Sequence, residues 1–179
     1  MTAHLNVEIK ARCADPDAAL RHLLSAGAIL EGVDHQVDTY FRVGAGRLKL
    51  RRGDIENSLI HYARADGPGP KDSIVTLYET DDAGRLLDVL LAALDVLTVV
   101  DKQRHILRAG NVKLHVDEVL GLGSFVEIEA IDLTGRLGRT HLLGQCRAYM
   151  AGLGVEESDL VAGSYSDLIA DYRQNPPVR

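Results

Sequence analysis

Hydrophobic and polar residues alternate with a period of two along most of the chain. Over residues 5–12, apolar side chains occupy the odd positions, and Asn6, Glu8, Lys10 and Arg12 occupy the even ones. Because successive side chains of a strand point to opposite faces, this alternation predicts β-strands with one apolar and one polar face. Strands are predicted near residues 5–11, 29–43, 47–51, 58–66, 73–80, 96–107, 112–119 and 125–131.

Three or four segments carry a helical pattern instead. Asp15-Pro16 is typical of a helix start, and the apolar stripe that follows it ends at Gly27. Further helices are predicted after Asp82, over residues 137–153 and around Ser164–Leu168. The pattern therefore predicts an α+β fold, in which about eight antiparallel strands close into a barrel flanked by helices. We expect a single domain over residues 1–172 and a tail at residues 173–179.

Composition narrows the classes of function. Of the 179 residues, 46% are hydrophobic and 26% are charged, which is typical of a globular domain with a core. Only 4% are aromatic, and the net charge is −6. Stacking on nucleic acid bases needs exposed rings, and binding of a polyanion needs basic surface, so nucleic acid is not expected as a partner. An anion site would have to be a local basic cluster.

Neither the cysteines nor the apolar segments point to secretion or to a membrane. Cys13 and Cys146 lack the close spacing of metal-binding or redox motifs, which indicates reduced thiols. The most apolar stretch, residues 89–100, contains Asp95 and is too short to cross a bilayer. No signal pattern precedes the first strand. We therefore expect a cytoplasmic protein.

Charged residues are sorted by sign on the polar faces of these strands. Arg47, Lys49 and Arg51 share one face of a strand, and Glu127 and Glu129 share one face of another. For any single strand, a solvated outer face is an adequate explanation. Across the whole set, like charges on one face are unfavourable unless a ligand of opposite charge neutralises them. This pattern predicts a polar barrel interior that holds an anion.

Basic residues outnumber acidic ones in this set, which favours a polyphosphate bound together with a divalent cation. If all of them face one cavity, the surplus is about four positive charges, close to the charge of a triphosphate. Carboxylates are the ligands that Mg²⁺ or Mn²⁺ prefers. The basic residues are Lys10, Arg47, Lys49, Arg51, Arg64, Lys71, Lys102 and Arg104, and the acidic ones are Glu8, Asp117, Glu127 and Glu129.

Five segments, in order along the chain, resemble the CYTH superfamily of triphosphate tunnel metalloenzymes. This superfamily includes class IV adenylyl cyclases, thiamine triphosphatases and inorganic tripolyphosphatases. The sequence around Ser164–Leu168 is most similar to the class IV cyclase branch. The five segments are residues 6–10, 38–41, 48–51, 117–123 and 125–129.

The resemblance implies an eight-stranded tunnel, open at both ends, that holds the triphosphate inside. Its catalytic residues would be Glu8, Lys10 and Glu127. Metal ligands for Mg²⁺ or Mn²⁺ would be Glu8, Asp117, Glu127 and Glu129. Substrate contacts would come from Lys10, Arg47, Lys49, Arg51, Arg64, Lys71, Lys102 and Arg104.

One position departs from the family pattern. The first strand of the family reads Glu-x-Glu-x-Lys, and this chain has Asn6 in place of the first Glu. A carboxamide oxygen can still bind a hard cation, but it lacks the charge. The substitution leaves open whether one or two metal ions are bound.

Three functions fit this pattern. A cyclase would convert ATP to cyclic AMP and pyrophosphate. A hydrolase would attack the terminal phosphorus of tripolyphosphate, thiamine triphosphate or a nucleotide. A third alternative is a non-catalytic nucleotide- or polyphosphate-binding protein, and Asn6 favours it. In each case the expected partner is a small triphosphate, and a homodimer is compatible with all three.

Overall fold

A computed structural model describes residues 4–64 and 69–174. This part of the chain forms eight strands, four α-helices and one short 3₁₀ turn at Glu157–Asp159. The strands are β1 (His4–Arg12), β2 (Ile29–Phe41), β3 (Arg47–Gly53), β4 (Ser58–Arg64), β5 (Lys71–Glu79), β6 (Val96–Ala109), β7 (Val112–Val119) and β8 (Gly123–Asp132). The helices are α1 (Pro16–Ser25), α2 (Ala83–Ala93), α3 (Gly138–Gly152) and α4 (Tyr165–Gln174).

The eight strands form one closed antiparallel barrel, as the alternation predicts. Their order around the barrel is β1, β5, β4, β3, β2, β6, β7 and β8, and β8 pairs with β1 to close it. In this last pairing, Glu8 stands opposite Glu129, and Lys10 stands opposite Glu127. Residues that are far apart in sequence therefore meet on one inner wall.

Three of the helices cover the outside of the barrel, where the apolar face of each strand packs against them. Ile9 of β1 and Ile128 of β8 are buried in one cluster with Leu23 of α1 and Leu142 of α3. Helix α2 covers Leu50 of β3. The apolar core thus lies between barrel and helices, and the barrel interior is left to the polar face, as predicted.

An apolar cluster lies at one end of the barrel. Tyr40, Val100 and Phe125 form a buried cluster there with Val161 and Tyr165. The rings of Phe125 and Tyr165 meet edge to face, with their centroids 5.0 Å apart. The chain after α3 brings Val161 and Tyr165 into contact with the strands at this end.

Element limits differ from the sequence prediction by a few residues. Strand β2 ends at Phe41, and β8 begins at Gly123, before the predicted Phe125. The predicted loop at residues 67–70 lies partly outside the described residues. Cys13 and Cys146 are free thiols. Among the described residues, no helix is both long and apolar enough to cross a membrane.

Candidate active site

The barrel encloses a cavity of about 620 Å³ whose lining is largely polar. Asn6, Glu8 and Lys10 reach it from alternate positions of β1, as the period-two pattern requires. Arg51 and Arg104 line it from β3 and β6. The interior is therefore charged, whereas small barrels are ordinarily filled by apolar side chains.

One buried carboxylate organises three of the cations. The Asp38 carboxylate of β2 accepts hydrogen bonds from the Lys49 and Lys102 ammonium groups, each at 2.8 Å, and from Arg51 Nε at 3.1 Å. Burial alone would raise the pKa of Asp38, but Arg51, Lys102 and Lys49 more than offset it and hold that pKa well below its usual value. Asp38 is therefore ionised and keeps these cations close together.

Lys102 is the most buried of these cations. It lies behind the cavity lining, and only 1% of its surface is exposed. Burial lowers the pKa of Lys102 to about 7, since nearby Arg51, Arg104 and Lys49 add to the effect and Asp38 only partly opposes it.

A second ionic cluster joins β1, β6, β7 and β8. Arg104 donates to both oxygens of Asp117, at 2.7 and 2.5 Å, and to Glu127 at 2.7 Å. Lys10 Nζ lies 2.6 Å from the other oxygen of Glu127. Burial raises the pKa of Glu127, but Lys10 and Arg104 hold that pKa well below its usual value. Asp117 is also held by the Tyr165 hydroxyl at 2.7 Å, so both of its oxygens have partners.

His115 lies beside this cluster and is buried. Its Nδ1 is 3.4 Å from Glu127, and neither ring nitrogen has a hydrogen-bond partner among the described residues. Burial lowers the pKa of His115, and Arg104 lowers it further. The imidazole is therefore neutral at physiological pH.

Oxygen donors suited to a hard cation line the wall formed by β1 and β8. Glu8 and Glu129 stand opposite each other in the strand register, and both reach the cavity. Like charges in such a pair are unfavourable unless a cation lies near them, and Lys71 of β5 stands opposite Glu8 on its other side. Asn6 donates its amide to Glu129 at 2.5 Å, and its buried carbonyl oxygen has no partner among the described residues.

This donor set fits Mg²⁺ or Mn²⁺ in its chemistry. Within residues 4–64 and 69–174, however, no three His, Cys, Asp or Glu side chains are grouped so as to hold a metal ion. Glu127 would first have to exchange its contacts with Lys10 and Arg104 for a metal ion.

Several predicted contact residues lie outside the cavity lining. Arg47 pairs with Asp167 at 2.9 Å, and Lys71 donates to the Val161 carbonyl at 2.9 Å. Both therefore hold the C-terminal segment (residues 160–174) against the barrel end. The side chain of Arg64 lies outside the described part of the structure.

Sequence reasoning missed several charged groups in the interior, among them Glu56 and Lys113. Glu56, in the turn between β3 and β4, binds Arg51 at 2.7 Å and also pairs with Lys113 of β7. The turn is folded inward because the buried Asp34 carboxylate accepts from the backbone N–H groups of Ile55 and Glu56. A turn residue carries no strand alternation, so this inward position gave no signal. Lys113 could have been found, since it alternates with His115 and Asp117.

The predicted surplus of positive charge is not found among the residues described. Acidic groups outnumber basic groups in the cavity lining. The sequence count left out Asp38, Glu56, Glu79 and Asp81, and it included Arg47, Lys71 and Lys102, which lie outside the lining. A triphosphate would therefore bind more strongly together with divalent cations than without them. The lining cations are Lys10, Lys49, Arg51, Arg104 and Lys113, and the lining acids are Glu8, Asp38, Glu56, Glu79, Asp81, Glu127 and Glu129.

Solved structures of similar proteins share this fold. The PH1012 protein of Pyrococcus horikoshii matches with a TM-score of 0.76 and 22% identity, over 91% of this chain and 98% of that one. A conserved hypothetical protein of Pyrococcus furiosus matches with a TM-score of 0.77 and 22% identity, over 91% and 99%. A candidate adenylate cyclase of Vibrio parahaemolyticus matches with a TM-score of 0.68 and 19% identity, over 94% and 99%.

At these identities the likeness shows the fold alone. No curated protein matches the sequence. The family model of the CYTH domain matches residues 4–165, which run from the start of β1 to the first residue of α4. Because that match spans the whole barrel, the chain belongs to the CYTH domain family.

Proposed function

We propose that this protein is a metal-dependent adenylyl cyclase of the class IV type, which converts ATP to cyclic AMP and pyrophosphate. Members of the CYTH family are in general metal-dependent enzymes that act on triphosphates. The observation that carries the proposal is the interior of the barrel. There Lys49, Arg51 and Arg104 share one cavity with the paired carboxylates Glu8 and Glu129.

The cations are suited to binding the phosphate chain. Lys49 and Arg51 are held side by side by Asp38, and Arg104 is fixed by two hydrogen bonds to Asp117. Because the ion pairs already hold these side chains in place, little conformational entropy is lost when phosphate oxygens bind. Charge-assisted contacts from Arg to phosphate are among the stronger hydrogen bonds in proteins.

Glu8, Glu127 and Glu129 would hold the metal. The bound ion would neutralise charge on the phosphates and polarise the reacting phosphoryl group. Asp117 is a fourth proposed ligand, and it would have to give up a contact with Arg104 or Tyr165 first. Lys10, which bridges Glu127 and the face of the Tyr165 ring, would then be free to contact the phosphates.

In the proposed reaction the 3′-hydroxyl of ATP gives its proton to solvent water and its oxygen forms a bond to the α-phosphorus. The bond from the α-phosphorus to the bridging oxygen breaks, and pyrophosphate leaves with that oxygen. Lys49, Arg51 and Arg104 would orient the chain for in-line attack and offset the charge on the leaving pyrophosphate. The sequence around Ser164–Leu168 favours a cyclase over a hydrolase. The Vibrio parahaemolyticus candidate cyclase shares the fold that this proposal requires.

Product analysis tests the proposal. The purified protein is incubated with Mg²⁺ or Mn²⁺ and, separately, ATP, tripolyphosphate or thiamine triphosphate, and the products are separated by ion-exchange chromatography. We expect cyclic AMP and pyrophosphate from ATP, both lost in Glu127→Gln. Orthophosphate would instead show a hydrolase, and tight binding without products would show a binding protein. Either result would overturn the cyclase proposal.

A further inference from the structure

We infer that the inward face of β4 and β5 is a subsite for the nucleoside part of a nucleoside triphosphate. The inference rests on the proposed triphosphate site and adds the position of the organic group. Ile60 of β4 lines the cavity together with Val75 and Leu77 of β5. We call these three residues the apolar wall.

The apolar wall differs from the rest of the barrel interior. Ile60 and Val75 are buried in a cluster of their own, separate from the clusters that pack beneath the helices. The inner faces of β1, β3 and β8 instead carry the ionic groups already described. Leu77 leaves 38% of its surface exposed, and exposed apolar surface beside a polar cavity is unfavourable until a ligand covers it. A phosphate chain has no apolar surface, so it cannot cover the wall.

The strand register places the apolar wall directly beside the phosphate cations. Lys49 of β3 stands opposite Ile60 of β4, and Ile60 stands opposite Leu77 of β5. Neighbouring strands lie about 4.8 Å apart, so the wall starts roughly one strand spacing from Lys49. A group attached to a phosphate on Lys49 and Arg51 would therefore lie over the wall.

The edge of the apolar wall carries hydrogen-bond acceptors. Asn57, Glu79 and Asp81 line the same cavity where β4 begins and β5 ends. A nucleoside has an apolar ring face, together with amino and hydroxyl donors at its edges, which matches this combination. The cavity of about 620 Å³ falls within the range of roughly 300–1,000 Å³ typical of sites for drug-sized ligands. These features favour a nucleoside triphosphate over inorganic tripolyphosphate.

Calorimetric titration with two ligands separates this subsite from the phosphate site. The ligands are α,β-methylene-ATP, which cannot be cleaved to cyclic AMP, and inorganic tripolyphosphate, each with Mg²⁺. The test variant is Val75→Thr with Leu77→Thr, which keeps two residues suited to a strand and makes the wall polar. The matched control is Ile74→Thr, since Ile74 directly precedes Val75, lies on the opposite face of β5 and is 60% exposed.

We expect the wild type to bind the ATP analogue more tightly than tripolyphosphate. The double variant should lose about tenfold in affinity for the analogue and keep its affinity for tripolyphosphate. The control should bind both ligands as the wild type does. Equal losses for both ligands, or none for the analogue, would overturn the subsite and leave the phosphate site standing. Failure of the wild type to bind either ligand would overturn the proposed function as well.

Discussion

Lys102 and Asp38 form an ion pair across β2 and β6, with 2.8 Å between the ammonium nitrogen and the carboxylate oxygen and almost no exposed surface on either side chain. Asp38 pairs with Lys49 and Arg51 as well. One negative charge thus holds three positive charges in the interior. Burying such a cluster costs desolvation free energy. Ligand binding therefore explains its presence in the barrel better than a contribution to stability does.

The buried Lys102 makes stability depend on pH. Its pKa is about 7 in the folded protein, whereas an unfolded lysine titrates near 10.4. Between these values the unfolded chain binds more protons than the folded one, so the free energy of unfolding rises with pH over this window. Below about pH 7 both states are protonated, and the contribution of Lys102 levels off. Urea unfolding at pH 6.5–9.5 should show this rise.

Replacing Lys102→Met removes the titrating group and should flatten that rise. The matched control is Arg147→Met, which removes an exposed positive charge on α3 and should keep the slope of the wild type. A variant with Met at position 102 that follows the wild-type pH profile would show that Lys102 stays protonated in the folded protein.

Arg51 is predicted to bind phosphate oxygens. Arg51→Ala should weaken triphosphate binding about ten- to a hundredfold, because one charge-assisted hydrogen bond contributes roughly 1.5–3 kcal/mol. The loss should be measured by titration at fixed ionic strength. Arg52→Ala is the matched control, because Arg52 follows on the same strand and points to the other face. Similar losses in both variants would mean that net charge, not a specific contact, governs binding.

Glu127 is predicted to act in turnover more than in anion binding. Glu127→Gln removes a metal ligand and should lower the turnover rate roughly a hundredfold or more. The substitution also weakens the ion pairs of residue 127 with Lys10 and Arg104, which leaves these two cations more available to phosphate. Metal-free binding of tripolyphosphate should therefore be unchanged or tighter. The exposed Glu118→Gln on β7 is the control and should alter neither quantity. Loss of tripolyphosphate binding along with turnover would contradict this division of roles.

The barrel could be predicted because the patterns that indicate its strands depend only on residues close together in the sequence. Alternation along β1, β3 and β8 assigns each side chain to a face, and it placed Glu8, Arg51 and Glu129 in the interior before any pairing was known. Closure was expected from the number of strands. Capping by Asp15 and Asp82 likewise depends on neighbouring residues only.

The charge balance of the interior was not predictable in this way. Asp38 lies in a strand whose pattern did not mark it as a site residue, and Glu56 enters the barrel only because the distant Asp34 folds its turn inward. Contacts of Arg47 and Lys71 with the C-terminal segment depend on where that segment crosses the barrel end. These are long-range relationships, and alternation along a single strand contains no information about them.

The remaining prediction concerns Asn6, where the family pattern has Glu. Its side chain faces the cavity, as the alternation along β1 predicts, and it donates a hydrogen bond to Glu129. Asn6→Glu would add a negative charge beside Glu8 and Glu129. Without metal the three carboxylates would repel one another, and the variant should be less stable than the wild type.

Adding a divalent metal ion should reverse this order of stability between Asn6→Glu and the wild type. The added carboxylate supplies a charged ligand in a partly desolvated site, so the Mn²⁺ concentration for half-maximal activity should fall roughly tenfold. The gain in melting temperature on adding Mn²⁺ should also be larger in Asn6→Glu than in the wild type, because binding to the folded state alone stabilises it. Asn6→Gln is the control: it lengthens the side chain without adding charge, and it should show neither effect. If Asn6→Glu needs as much Mn²⁺ as the wild type does, no metal ion binds beside position 6. The carboxylates of Glu8 and Glu129 would then bind a cation that lies nearer Glu127.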